Sequence, residues 1–277
     1  MMKSLYSGVS GLRNHQTKMD VIGNNIANVN TSGYKSQRTT FRDLFYQTTS
    51  SPSEGSGNMG GTNASQVGYG AKIGSIDTIN TISGYSPTDK ATDLYINGEG
   101  YFAVKNSSDE IRYTRLGALN FDSEGNLVDI NGSKVYGENG ATALTSSTTA
   151  PTETIKIDLD LYNNITINPD GTISAFNTTA KKIETVGQIT VAVIDNNDAL
   201  VAEGNSYYSA GNNAGDITYA VAGINSGSLI TGGLEMSNVD LAKEFSDMII
   251  TQRGFQANSK IISVADEMLQ ELVNLKR

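Results

Sequence analysis

The two ends of this chain carry matched helical patterns around a body rich in Gly and Asn, and few folds accommodate that order. From Leu5 the apolar positions run through Val9, Leu12, Met19 and Ile26, with Gln16 filling the step between Leu12 and Met19. That spacing alternates four and three, as one stripe of a helix does. The far end repeats it. Leu241, Phe245 and Met248 open a second stripe, Gln252 interrupts it, and Phe255 and Ile262 resume it. Ile261, Ala265, Met268, Leu272 and Leu275 finish it in four-three steps, with Leu269 beside them. Helices that begin and end a chain usually need each other, so residues 1–35 and 238–277 are predicted to pair as one coiled-coil-like terminal domain.

Composition removes several function classes. The 277 residues suffice for one large domain or two or three small ones, and 38 % hydrophobic content is enough for a core. The absence of Cys excludes thiol catalysis, Cys-ligated zinc and disulfides. A net charge of -9 argues against nucleic acid, whose binding needs a basic face to displace counterions. No apolar run reaches the ~18 residues that span a bilayer, and Met1 to Gly11 lack the apolar stretch of a cleaved signal. The charge is also uneven. Residues 1–40 set five basic groups against Asp20, and residues 238–277 hold five basic and six acidic, so the acidic excess lies in the middle. An acidic body facing water, with nearly balanced ends, suits a chain whose ends pack together in numbers.

Along the chain, the first helix is predicted from Ser4 to near Val29, stopping in Asn30-Thr31-Ser32-Gly33, where Gly33 can take a positive φ. Residues 34–47 read as extended or as a short helix. Residues 36–72, with the Ser/Thr/Gly-rich stretch 48–70, read as an extended connector. From 73 to 237 short strands recur between turn signals at Asn97-Gly98, Ser123-Glu124-Gly125-Asn126, Asn131-Gly132, Asn168-Pro169-Asp170-Gly171 and Asp195-Asn196-Asn197-Asp198. That is an antiparallel barrel or sandwich, and the chain as a whole is α+β with a mostly β body. The low-complexity start of 139–182 suggests a small outer insertion there. Ser237-Asn238-Val239-Asp240 has capping-box form and is predicted to start the last helix.

Candidate chemistry is sparse. His15 lies within the first helix with no second His to share a metal, and reads as a polar-face or interface residue. Asp122 with Glu124, and Asp195 with Asp198, are turn acids without calcium-loop spacing. Asn97-Gly98-Glu99-Gly100 leads into a strand, which a dinucleotide fingerprint would not. No G-x-S-x-G occurs. The expectation is a non-enzyme with no catalytic residue, cofactor or metal.

Four blocks carry a family resemblance. Ser4-Leu5-Tyr6-Ser7-Gly8-Val9-Ser10-Gly11-Leu12, continuing through Met19-Asp20-Val21-Ile22-Gly23-Asn24-Asn25-Ile26-Ala27-Asn28-Val29-Asn30-Thr31-Ser32-Gly33-Tyr34-Lys35, resembles the N-terminal signature of bacterial flagellar rod and hook proteins. Leu234-Glu235-Met236-Ser237-Asn238-Val239-Asp240-Leu241, continuing through Gln252-Arg253-Gly254-Phe255-Gln256-Ala257-Asn258, is similar to its C-terminal half. Ile96-Asn97-Gly98-Glu99-Gly100-Tyr101-Phe102, with Thr114-Arg115-Leu116-Gly117 and Gly125-Asn126-Leu127-Val128, is similar to the central β domain. Within the family the opening looks most like a short hook protein, with the distal rod protein, the drive shaft of the basal body, as the near alternative.

The resemblance implies a structural subunit exported without a cleaved signal and polymerised into a helical tube that transmits torque, as a flexible joint in a hook. It implies contacts with further copies, adjoining rod and hook-filament junction proteins, a hook cap and the export apparatus. The polymerisation interface is expected at Leu5, Val9, Leu12, Met19, Ile26, Leu241, Phe245, Met248, Phe255, Ile262, Leu269 and Leu272. Gln16, Gln252, Asn24, Asn25 and Asn28 are expected to keep the ends soluble before assembly. A carboxylate-dependent glycan-active enzyme and a non-flagellar surface polymer are the alternatives from other classes.

Overall fold

A computed structural model describes residues 2–55, 60–106, 108–140 and 153–275. Their contacts divide the chain into a helical unit, comprising residues up to 27, 37–79 and 239 onward, and a β unit of 28–36 and 80–238.

The helical unit contains α1 (Met2–Ala27), strands β1 (Gln37–Asp43), β2 (Tyr46–Ser50), β3 (Ser65–Gly68) and β4 (Ala71–Thr78), and α2 (Leu241–Leu275). Residues 36–72 are therefore no connector. β1 pairs antiparallel with β4, and further out β2 pairs with β3, so the segment is a long hairpin. Ladder bonds and hydroxyl pairs hold it, including Thr40 Oγ1 with Ser75 Oγ at 2.7 Å and Ser53 Oγ with Thr62 Oγ1 at 2.8 Å. Polar strands of that kind carry no hydropathy signal. Residues 56–59, within the stretch read as a connector, lie outside the described residues.

The cap of α2 also differs from expectation. Asp240 is the N-cap, its carboxylate accepting the N–H groups of Ala242 at 2.9 Å and Lys243 at 3.3 Å. Ser237 and Asn238 are committed to the β unit instead: the Ser237 carbonyl accepts the Ser83 hydroxyl, and Asn238 Oδ1 accepts the Ser36 N–H.

The β unit contains β5 (Tyr85–Pro87), β6 (Leu94–Asn97), β7 (Tyr101–Lys105), β8 (Ile111–Thr114), β9 (Leu119–Phe121), β10 (Leu127–Asp129), β11 (Lys134–Val135), β12 (Gly137–Asn139), β13 (Tyr162–Ile167) and β14 (Thr172–Asn177). After the long β15 (Lys182–Ile194) come β16 (Leu200–Gly204), β17 (Tyr207–Ala210), β18 (Ile217–Val221), β19 (Ser228–Thr231) and β20 (Gly233–Glu235). All pairings are antiparallel. The main ladder runs β13-β14-β15-β7-β11-β10-β9, and its two ends do not meet, so the unit is sandwich-like and not a closed barrel.

Its core follows from strand alternation. Along β7, Phe102 and Val104 enter a large aliphatic cluster with Leu94, Leu119 and Ile189, while Tyr101 and Ala103 face a second cluster with Tyr113, Tyr208 and Tyr219. Residues 153–182, expected within an outer insertion, supply Ile155, Ile157, Ile167 and Ile173 to the first cluster. The alternation Ile155-Lys156-Ile157 turns both isoleucines inward, so this part of the stretch is body. Residues 141–152 of the same prediction lie outside the described residues.

Candidate assembly surface

Within the helical unit α1 and α2 run antiparallel, and glycines stand at three of their close approaches. A Cβ placed on Gly8 would stand 3.2 Å from the Ile262 side chain, one on Gly11 would collide with the Asn258 amide, and one on Gly254 would collide with the His15 ring. Glycines there let the helix axes approach, at a cost of about 1 kcal/mol each in helix propensity. Lys18 pairs with Asp247 at 3.8 Å further along.

Asn25 is buried, contrary to the expectation of a solubilising residue. Its amide donates to the Gln37 carbonyl at 2.8 Å and to Glu244 Oε1 at 3.1 Å, and its oxygen accepts the Gln37 N–H at 2.9 Å. It fastens the start of β1 to both helices. Burial raises the Glu244 carboxyl above the usual range, and the Asn25 bond opposes that. His15 packs beside the Phe41 ring, and its buried Nδ1 has no hydrogen-bond partner. Burial, and secondarily the Lys18 charge, lower its pKa.

Of the twelve positions assigned to a polymerisation interface, Ile262 faces Gly8 across the helix pair. Leu5, Leu12, Met19, Ile26, Met248, Phe255 and Ile262 are half-buried, and Val9, Leu241, Phe245, Leu269 and Leu272 are exposed. The buried positions of α1 are Gly8, Asn14, Val21, Ile22 and Asn25. Gly8 opposite Ile262 and His15 opposite Gly254 set a register in which α1 begins at about the level of residue 267, by the ~1.5 Å rise of both helices. The last two turns of α2 then have no α1 beside them, and Met268, Leu269, Leu272, Val273 and Leu275 are all exposed there. A groove of about 450 Å³ precedes them, lined by Ser4, Ala257, Ile261, Val264, Ala265 and Met268. Exposed apolar side chains are thus gathered along the free end of α2.

The signature blocks meet in the β unit at a site that no local pattern announces. Lys35, Arg115 and Glu235, 2 %, 4 % and 1 % exposed, come from the N-terminal, central and C-terminal blocks. Lys35 Nζ donates to Glu235 Oε1 at 2.6 Å and to the Thr81 carbonyl at 2.7 Å. Arg115 Nη1 is 3.5 Å from Glu235 Oε2, and its guanidinium also reaches the Gly98 carbonyl at 2.8 Å and lies over the Tyr101 ring. Gly33, at φ +71°, donates its N–H to the Glu235 carbonyl at 2.8 Å. A Cβ at Gly33 would press on the backbone of Arg115 and Leu116.

Sequence profiles of flagellar families match the same three regions. A flagella basal body rod protein profile covers residues 5–35, the flagellar hook protein FlgE/F/G D1 domain covers 95–175, and the flagellar basal body rod FlgEFG protein C-terminal profile covers 230–275. The flagellar basal-body rod protein FlgG of Bacillus subtilis (strain 168) is 44 % identical over 279 residues, covering 100 % of each chain. FlgG of Buchnera aphidicola subsp. Acyrthosiphon pisum is 34 % identical over 285 residues, covering 99 % of this chain and 100 % of that one. The flagellar hook protein FlgE of Borreliella burgdorferi is 29 % identical over 442 positions, with 100 % of each chain covered. The rod relatives thus align at higher identity and over close to this chain's own length, and the hook reading drawn from the opening residues is the weaker one. That opening lies within a segment rod and hook proteins share, so it does not separate them.

Proposed function

This chain belongs to the flagellar basal-body rod and hook protein family, and we propose that within it the chain is a rod subunit of the distal, FlgG type. It polymerises into a helical tube inside the flagellar basal body and carries torque there as a shaft. The carrying observation is the end-to-end alignment with FlgG of Bacillus subtilis over 279 residues, close to this chain's own 277. The FlgE alignment runs to 442 positions, many more than the chain can occupy. The extra hook sequence has no counterpart here.

The apolar faces of α1 and α2 are the self-association surface, with the stripe positions Val9, Leu241, Phe245, Leu269 and Leu272 meeting further copies. Contacts between unlike surfaces of identical subunits do not close on themselves, and they propagate as a helix. The neighbours at either end of the polymer are other flagellar axial proteins. Labelling the subunit and imaging isolated hook–basal bodies tests the reading. Label confined to the rod, with deletion abolishing the hook as well, is expected. Label along the external hook would reject the rod assignment.

A further inference from the structure

Residue 235 holds the segment 28–36 twice. Its backbone carbonyl accepts the Gly33 N–H at 2.8 Å, and its carboxylate accepts the Lys35 ammonium at 2.6 Å. The Ser36 N–H, at 2.7 Å from Asn238 Oδ1, ends three residues further on. Only the bond from Lys35 to the Thr81 carbonyl reaches elsewhere among these four. Without Glu235, two cations would share one buried site with no counter-charge. Arg115 would keep the Ile96 and Gly98 carbonyls and the Tyr101 ring face. Lys35 would keep one carbonyl. Burial already draws the Lys35 ammonium below the usual lysine range and Arg115 adds to that, while Glu235 opposes both.

We infer that Glu235 is a latch: it admits the segment 28–36 to the β unit only after β20 is in place, which makes this closure the last folding step of the unit. The partners lie 200 positions apart, and a chain synthesised from its N-terminus presents Lys35 early and Glu235 late. Until then the ammonium is better solvated in water, and the aliphatic core around β7 and β15 forms without it. Segment 28–36 continues directly from α1, so the latch also sets when the first helix is followed by an ordered stretch. The inference does not depend on what the chain assembles into.

Pulsed hydrogen exchange during refolding of the full chain tests it. Amides of β7 and β15 should gain protection first, and those of Gly33 and Ser36 last, in step with β20. In native Glu235→Gln, which keeps the backbone bond but loses the charge, the Gly33 and Ser36 amides should exchange at least tenfold faster while Phe102 and Val191 stay protected. Adding Lys35→Met to that variant removes the stranded cation and should restore part of the protection. Early protection of 28–36, unchanged exchange in Glu235→Gln, or a loss spread evenly through the β unit would each overturn the latch.

Discussion

The two units bury different things. In the β unit Phe102, Leu94, Leu119, Leu127, Ile155, Ile157, Ile173 and Ile189 are fully enclosed. Among the described residues of the helical unit the buried hydrophobics are Val21, Ile22 and Ala265, while eleven large apolar side chains of α2 stay exposed. A side chain enclosed at ~1.5 to 3 kcal/mol has been satisfied within its own chain, and one left in water has not. The β unit thus encloses its large apolar side chains within its own core, whereas α2 leaves a row of them exposed.

Truncation should break that comparison most sharply. Residues 28–238 retain the core and the three-charge cluster and should fold cooperatively as a monomer. Residues 71–235 drop Lys35 and end at Glu235, so they should melt well below the longer piece. Equal melting of the two fragments, followed by circular dichroism, would mean the segment 28–36 is an appendage. Point changes sharpen the contrast. Phe102→Ala should cost about 3 to 5 kcal/mol in thermal unfolding of the full chain, because it empties a sealed core position. Leu269→Asp should change the melting of the free subunit by under about 0.5 kcal/mol, because the side chain is already exposed, yet it should abolish polymer formation in sedimentation and motility in cells.

A smaller effect comes from the helix seam. Gly254→Ala gains helix propensity but drives a methyl into the His15 ring, so it should destabilise the helical unit by about 1 to 3 kcal/mol. A gain in stability would show that the seam is loose. The smallest effect is the pH dependence of His15. Its folded pKa lies below the unfolded value of 6.5, so the unfolded chain binds more protons in that window. The contribution is fully present above 6.5 and is lost as pH falls through 6.5 toward the lowered folded value. His15→Gln should flatten the melting profile of the helical unit in that range, leaving the β unit unaffected.

What could be read from sequence was local. Both helices, the turns at Asn168 to Gly171 and at Asp122 to Asn126, and the positive φ of Gly33 follow from spacing and turn chemistry within a few residues. The hairpin of β1 to β4 escaped because Thr, Ser and Gln hold it through ladders and hydroxyls. The helix seam escaped because glycine scores as neither apolar nor charged. A signal existed: Gly8 and Gly11 share a helix face, and a helix accepts that cost where another backbone comes close. The cluster of Lys35, Arg115 and Glu235 had no local signal, since its members lie 120 and 200 positions apart. Asn25 was misread for the opposite reason, because an Asn-rich stretch resembles a solvated one until its partners are known.

Strand β15 has a mechanical consequence. Its 13 residues extend about 43 Å at ~3.3 Å per residue. The first half is gripped by β14 and β12, and the second by β7 and β18. A pull along its axis loads those hydrogen bonds in parallel, and they must rupture together. A pull across it would peel them one at a time. The ladder around β15 should thus yield at a higher force to a pull along the strand than to one across it.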